Sequence, residues 1–419
     1  MTRRRVAITG LGVLTPLGDS VDTLYASIVS GRSAVRRLPE PLCERLRSPI
    51  GAPVELDAVA HFSAARLKML DRVSQLALVA ASQAVADSRI DFGTLPAERC
   101  GVSVGTGLGG ATTTDEGYRI IYAERSDRVN PYTVLSSMTN AAASWVGIDH
   151  GIRGPNLTYS TACSSSAVAI GEAARRIWSG DVDVVLTGGA EAPLTFGVLR
   201  AWEAMRTLAT QDPIDPAVSC RPFARSRTGL VLGEGAAFIV LEEWGHAVAR
   251  DARIYGELSG YGLTSDVEHI TRPTPAGQAG AMRAALRSSG LDAAAVDYIN
   301  AHGTATLQND AVETAAIKEV FGADAYRIPV SSTKSTHGHL LGAAGAVEFV
   351  IAVAGMDRGV IPPTMHLDVA DPICDLDYVP GRARIGANLG AVMSNSFAFG
   401  GTNAVLVAER PGIRPGRPP

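Results

Sequence analysis

Short apolar runs alternate along this chain with longer alanine-rich stretches of helical period. Val6–Gly10, Cys100–Gly105, Leu157–Thr161, Val182–Thr187 and Ala237–Glu242 are apolar and β-branched enough to predict buried strands, most of them closing on glycine or another small residue. Helical spacing is expected between them, over Val73–Asp87 and Ser165–Trp178. In the second of these, Ala167, Ile170, Ala174 and Ile177 share a face and Gly180 is a stop signal. The second half repeats the rhythm, with strands at Ile254–Gly260, Asp297–Ala301, Pro329–Ser332, Ala391–Ser394 and Ala404–Ala408. Helices are expected there over Ala281–Ser289 and Leu340–Met356. The pattern predicts an α/β protein of two serial, duplicated halves, 1–250 and 251–411, followed by a Pro/Arg-rich tail at 412–419. Helices should cover mixed, largely buried sheets.

A length of 419 residues fits two to three folding units or one large α/β domain. The hydrophobic share of 46% excludes disorder as the main state. A charged share of only 19% and 44 glycines add much buried surface and many tight turns. Net charge −4 leaves no basic footprint for nucleic acid, so any patch that docks an acidic partner must be local. The five cysteines (Cys43, Cys100, Cys163, Cys220, Cys374) form no CxxC pair, which argues against a zinc ribbon or disulfide framework and for a reducing cytoplasm. Gly10, Gly12, Pro16 and Gly18 break the first apolar run, so the N-terminus reads as a strand, not a signal peptide. No run approaches the roughly eighteen apolar residues of a membrane span.

Four constellations carry candidate chemistry. In Tyr159-Ser-Thr-Ala-Cys163-Ser-Ser-Ser, a strand ends at small residues and a helix starts after the thiol. Free N–H groups and the helix dipole there favour the thiolate that attacks thioesters. A buried structural cysteine is the competing reading at equal weight. In Asn300-Ala-His302-Gly-Thr304-Ala-Thr306, a strand-end histidine with glycine and two hydroxyls makes an acid/base or hydrogen-bond donor candidate. In Lys334-Ser-Thr-His-Gly-His339, followed by an Ala/Gly-rich helix, the helix N-terminus disfavours imidazolium. His339 should therefore stay neutral and donate to an oxyanion, while Lys334 pairs with Glu348 and His337 is surface. In Asn395-Ser-Phe397-Ala-Phe399-Gly400-Gly401, adjacent glycines suggest a turn whose N–H groups face a site. The loop Gly105-Thr-Gly-Leu-Gly-Gly110 satisfies G-x-G-x-x-G, but Ala111-Thr-Thr-Thr-Asp is a poor helix start and no ribose-binding acid follows, which argues against a dinucleotide.

Taken in order, Thr161-Ala-Cys163-Ser-Ser, Ala301-His302-Gly-Thr, Lys334-Ser-x-x-Gly-His339 and Asn395-Ser-Phe-x-Phe-Gly-Gly-Thr-Asn403 resemble the signatures of the β-ketoacyl-acyl-carrier-protein synthases of the thiolase-like superfamily, in the layout of synthase II. The resemblance runs nearly end to end. It implies a five-layered α-β-α-β-α fold, usually dimeric, that catalyses decarboxylative Claisen condensation. Cys163 would take an acyl group from a carrier protein's phosphopantetheine. His302 and His339 would hold the enolate of a malonyl-carrier protein. Cys163 and Phe399 would supply oxyanion-hole N–H groups, and Lys334 braced by Glu348 would order the site. Thr304 and Thr306 would contact the pantetheine arm, Phe399 would gate, and Leu108 and Trp202 would line the acyl pocket with Phe397 and Gly400 beside it. No metal or resident cofactor is implied.

Departures from the family pattern sharpen the expectation. Leu307-Gln308-Asn309-Asp310 followed by Glu313-Thr-Ala-Ala looks like ketosynthases of type II polyketide systems, whereas the Asn395–Asn403 motif is like fatty-acid enzymes with Ala398 in place of Gly. This mosaic points to a specialised type II polyketide ketosynthase making a reduced or polyene chain. The alternatives are a housekeeping fatty-acid 3-oxoacyl synthase II, a thiolase or other acyl-CoA enzyme, and a silent chain-length subunit, which the retained Cys163 disfavours. The expected partners are an acyl carrier protein and either a second copy or a ketosynthase-like chain-length subunit, with no nucleic acid and no membrane.

Overall fold

The computed structural model describes residues 3–40 and 42–412, so the expected tail lies outside the described residues from 413 onward. Ten strands matter for the site: β1 (Val6–Leu14), β2 (Cys100–Gly105), β3 (Asn156–Tyr159), β4 (Val184–Glu191), β5 (Gly235–Glu243), β6 (Gly256–Ser265), β7 (Tyr298–Asn300), β8 (Val330–Ser331), β9 (Ala391–Phe397) and β10 (Thr402–Glu409). They form one ten-stranded sheet in the order β8-β7-β9-β10-β6-β1-β5-β4-β2-β3. Outward from the middle, β1, β5, β4, β2, β3 match β6, β10, β9, β7, β8. On each side two antiparallel pairings are followed by two parallel ones. The duplication is thus written in topology, and β1 and β6 join the halves through only Ala7↔Glu257 and Ile8↔Gly256.

Five helices fill the layers: α1 (Arg72–Ser88), α2 (Ser165–Ser179), α3 (Pro275–Ser289), α4 (Leu307–Phe321) and α5 (Ala344–Arg358). Between the two sheet halves, α2 and α5 share a core with β1 through Ile8, Ile170, Val347 and Ile351. Apart from its last two residues α5 is buried all round, as an Ala/Val/Ile sequence without a polar face requires. Outside, α1 covers Val102, Val184 and Phe238, while α3 and α4 cover Ile299, Met393 and Val405. The result is the expected α-β-α-β-α stack. The N-terminus of α2 presses so close to the sheet that a Cβ at Gly105 would lie 2.2 Å from the Ser166 nitrogen. One expectation fails here: Ala111–Tyr118 is a helix. Tertiary partners stabilise it, since Asp71 accepts the Thr113 N–H at 2.7 Å and Asp115 accepts that of Gly197 at 3.2 Å.

Candidate active site

The α2 helix is entered through a single 3₁₀ turn, Ala162–Ser164, directly after β3. Ala162 holds φ +52°, a strained value for a residue with a side chain, and this bend aims Cys163 into the interior. Cys163 is 5% exposed, and the Phe399 backbone N–H reaches its sulfur. Burial pushes the thiol up to about 12, against the opposing pull of the Lys334 charge and the Phe399 N–H. The sequence expectation of a favoured thiolate is therefore corrected, because withdrawal from water outweighs the cationic surroundings.

His302 follows β7, and His339 precedes the turn Leu341–Ala343 that opens α5. The Cys163 sulfur and one ring nitrogen from each histidine all lie within 4.8 Å of one another. The two rings stand edge to face, centroids 5.3 Å apart. The Leu341 N–H donates to His339 Nδ1 at 3.2 Å, and Lys334 Nζ lies 3.4 Å from His302 Nδ1. With a donor at each Nδ1, both rings carry hydrogen on Nε2, and His339 Nε2 has no partner among the described residues. Burial foremost, then the Lys334 charge, holds both imidazoles well below 6.5. His339 is thus neutral as expected, but by burial more than by the helix N-terminus. A metal at these three atoms would need Nε2 lone pairs and Nδ1–H groups, the reverse of what the neighbouring donors impose. The arrangement suits an oxyanion, not a cation.

Lys334 Nζ lies 2.5 Å from Glu348 Oε1 and donates to the His302 carbonyl at 2.6 Å, with both side chains buried. The ion pair anticipated from sequence therefore sits directly behind His302. His337, expected at the surface, is fully buried: its Nε2 pairs with Thr333 Oγ1 at 3.0 Å and its Nδ1 with the Gly338 carbonyl at 2.8 Å. The turn Lys334–His337 lies inside the fold, and burial takes this imidazole down to about 3. Two carboxylates of the site were not among the candidates from sequence, where Glu313 figured only in the polyketide-like motif and Glu191 not at all. Glu313 accepts the His302 and Gly303 N–H groups, each at 2.8 Å, and Asn395 Nδ2 at 3.1 Å. Glu191 accepts four donors beside Cys163's turn. Glu313 is one of several charges on α4, beside Asp310, Lys318 and Glu319, and only an acid in the apolar run of β4 hinted at Glu191.

A cavity of about 320 Å³ opens onto Cys163, His302 and His339, and Thr304, Thr306, Trp202, Phe397 and Phe399 also line it. Thr304 and Thr306 join hydroxyls at 2.9 Å. Trp202 stacks on Phe399 at 5.9 Å, and Phe397 meets His302 edge-on at 6.1 Å. Leu108 and Gly400 are not among the lining residues. Leu108 is 41% exposed and gives its N–H to Glu191, while Gly400, at φ +84°, gives its own to the Ile270 carbonyl at 2.8 Å. Arg206, His269 and Arg272 also line the cavity, from segments that carried no motif.

Family models for the β-ketoacyl synthase N-terminal domain and C-terminal domain match residues 3–247 and 255–368. The chain belongs to the β-ketoacyl synthase family. It is therefore a condensing enzyme of acyltransferase type. Nodulation protein E of Rhizobium meliloti (strain 1021) is 44% identical over 97% of this chain and 99% of its own length. The 3-oxoacyl-[acyl-carrier-protein] synthase 2 of Coxiella burnetii is 40% identical over 98% and 99%. Among solved structures, the ishigamide ketosynthase/chain length factor superposes with TM-score 0.92 at 32% identity, covering 98% of this chain and all of that one. A type II polyketide synthase acyl-carrier protein in complex with its ketosynthase, bound to the hexaketide, gives TM-score 0.90 at 31% identity over the same shares. No helix among the described residues of this β-ketoacyl synthase is long and apolar enough to cross a membrane.

Proposed function

We propose that this chain is the chain-elongating ketosynthase of a type II polyketide system, with Cys163 as nucleophile and His302 and His339 as enolate donors. The observation that carries the reading is one open cavity at whose base a buried thiol faces two neutral imidazoles, both presenting Nε2–H. Cys163 Sγ attacks the acyl thioester of a carrier protein, and its proton leaves on the departing pantetheine thiol. The N–H groups of Cys163 and Phe399 hold the oxyanion. A malonyl thioester then takes its place and loses CO₂. The two Nε2–H groups stabilise the enolate oxygen, so decarboxylation needs donors and no strong base. The enolate carbon attacks the acyl-Cys163 carbonyl and releases the sulfur. Lys334, paired with Glu348, keeps His302 in the donating tautomer. Thr304 and Thr306 meet the pantetheine arm, Phe399 and Trp202 close the acyl side, and Leu108 joins the pocket in the assembled dimer. No resident cofactor enters these steps, because the carrier's phosphopantetheine brings both substrates.

The polyketide assignment rests on Gln308-Asn309-Asp310 and on the likeness to the polyketide ketosynthase complex. The 40% identity to a 3-oxoacyl synthase 2 favours fatty-acid elongation as the second reading. Assembly into a dimer follows from exposed apolar side chains crowded between residues 108 and 138, among them Tyr122, Val134 and Leu135 at 75%, 71% and 55%. Five free cysteines suit the cytoplasm. The division near residue 250 into a nucleophile-bearing half and a histidine-bearing half belongs to the same reading. Intact-protein mass spectrometry with acyl-carrier and malonyl-carrier protein, beside Cys163→Ala, tests it. An acyl adduct on the wild type alone, with elongation only after a ketosynthase-like subunit is added, supports the heterodimeric polyketide enzyme. Elongation by the chain alone supports the fatty-acid homodimer, and no adduct in either case overturns the role of Cys163.

A further inference from the structure

Glu191 ends β4 with a fully buried carboxylate and no salt-bridge partner among the described residues, yet four donors converge on it. Oε2 accepts the Gly107 N–H at 2.6 Å and the Gly342 N–H at 2.9 Å. Oε1 accepts the Leu108 N–H and the Thr106 hydroxyl, each at 3.1 Å. Both glycines are required by close approach: a Cβ at Gly107 would lie 2.8 Å from Oε2, and one at Gly342 would lie 2.4 Å from the Gly107 nitrogen and 2.5 Å from Oε2. The three Thr106–Leu108 donors belong to the first half of the chain and the Gly342 donor to the second. A Cβ at Gly107 would lie 3.9 Å from the Cα of Ala162, the strained residue before Cys163. Gly342 sits in the turn whose Leu341 N–H holds His339 Nδ1.

A negative charge here opposes a Cys163 thiolate, so its value to the site is geometric and not electrostatic. Burial pushes the carboxyl up to about 7, and the four donors work against that shift. We propose that Glu191 is a positioning residue that ties the Thr106–Leu108 segment, packed beside the Cys163 turn, to the His339 turn across the joint between the two halves, holding His339 Nε2 in register with the sulfur. This inference rests on the ketosynthase reading. Misplacement of about 1 Å at such a site costs on the order of 10²-fold in rate. The His339 backbone is pinned to Val231 and Gly233, and the turn after it takes its further tie to the first half from the Gly342 N–H on the carboxylate, whereas Cys163 keeps its own covalent and helical frame. Loss of Glu191 should therefore damage malonyl decarboxylation more than acyl transfer.

The test measures acylation of Cys163 by intact mass and CO₂ release from malonyl-carrier protein, in full-length wild type, Glu191→Ala, Glu191→Gln and Gly342→Ala. Glu191→Ala and Gly342→Ala are expected to lose decarboxylation about 10²-fold with acylation within about tenfold of wild type. Glu191→Gln keeps an oxygen for Gly107 and Gly342 and an amide that can donate to the Thr106 hydroxyl, at the loss of the Leu108 acceptor, so it should recover part of the decarboxylation that Glu191→Ala loses. Where Glu191→Ala fails to fold, Gly342→Ala decides. Equal losses in both half-reactions, wild-type decarboxylation in either variant, or failure of both to fold would overturn the positioning role. A wild type that neither acylates nor decarboxylates would instead overturn the ketosynthase reading beneath it.

Discussion

Replacing Lys334 with Met separates what the buried ion pair does for stability from what it does for chemistry. Lys334 and Glu348 are both buried, 2.5 Å apart, and no other donor reaches the Glu348 carboxylate among the described residues. Removing the ammonium strands that carboxylate, at a cost of about 3–5 kcal/mol. Burial already holds Glu348 up to about 7 against the Lys334 charge, so in Lys334→Met it moves higher still. Between the unfolded and folded values the native state binds more protons than the unfolded state. Stability must then fall as pH rises, and the defect should be larger at about pH 8.5 than at about pH 6. Adding Glu348→Leu removes the stranded charge and should bring urea-unfolding stability back to within about 1 kcal/mol of wild type. Catalysis should not return, because His302 Nδ1 still lacks the donor that keeps hydrogen on Nε2. Malonyl decarboxylation should stay about 10²–10³-fold down in both variants. Recovery of decarboxylation in the double variant, or a loss under about 1 kcal/mol in the single one, would refute this account.

Three further outcomes are expected. Since His302 and His339 are held well below 6.5, decarboxylation should stay level from about pH 8 to about pH 6; a fall centred near pH 6.5 would show that an imidazole titrates. Ala162→Gly relieves the φ +52° backbone and should raise thermal stability by about 1 kcal/mol, yet slow Cys163 acylation, read by intact mass against time. Val134→Asp with Leu135→Asp, both exposed in the single chain, should shift sedimentation to the monomer; an unchanged dimer would place the interface elsewhere.

Local pattern was enough for the strands and helices, because alternation and helical period act over neighbouring residues. All ten sheet strands fall on apolar runs visible in the chain, with ends moved by a few residues. Cys163, His302 and the Lys334/His339 pair were legible as three motifs, each a small-residue or glycine break at the end of a strand or the start of a helix. The pairing of Lys334 with Glu348 was legible from charge alone, since a lone acid in an apolar helix needs a partner. What the sequence could not state was depth. His337 and His339 are two residues apart on either side of Gly338, and only packing of that turn against the Val231–Gly233 segment and Ala34 buries both.

Depth in turn decides the chemistry. Burial overrides the helix N-terminus at Cys163 and holds the histidines neutral, and a desolvation effect depends on every segment that shuts out water. The helix after Gly110 was missed for a related reason, since the acceptor for its Thr113 N–H is Asp71, distant in sequence. Glu191 and Glu313 remained silent until the fold brought donors to them from more than one segment. The chain by itself determined which residues can react and where the backbone bends to present them. Only the tertiary structure decided their protonation, tautomers and mutual distance, because these depend on contacts across a joint between two halves that are far apart in sequence.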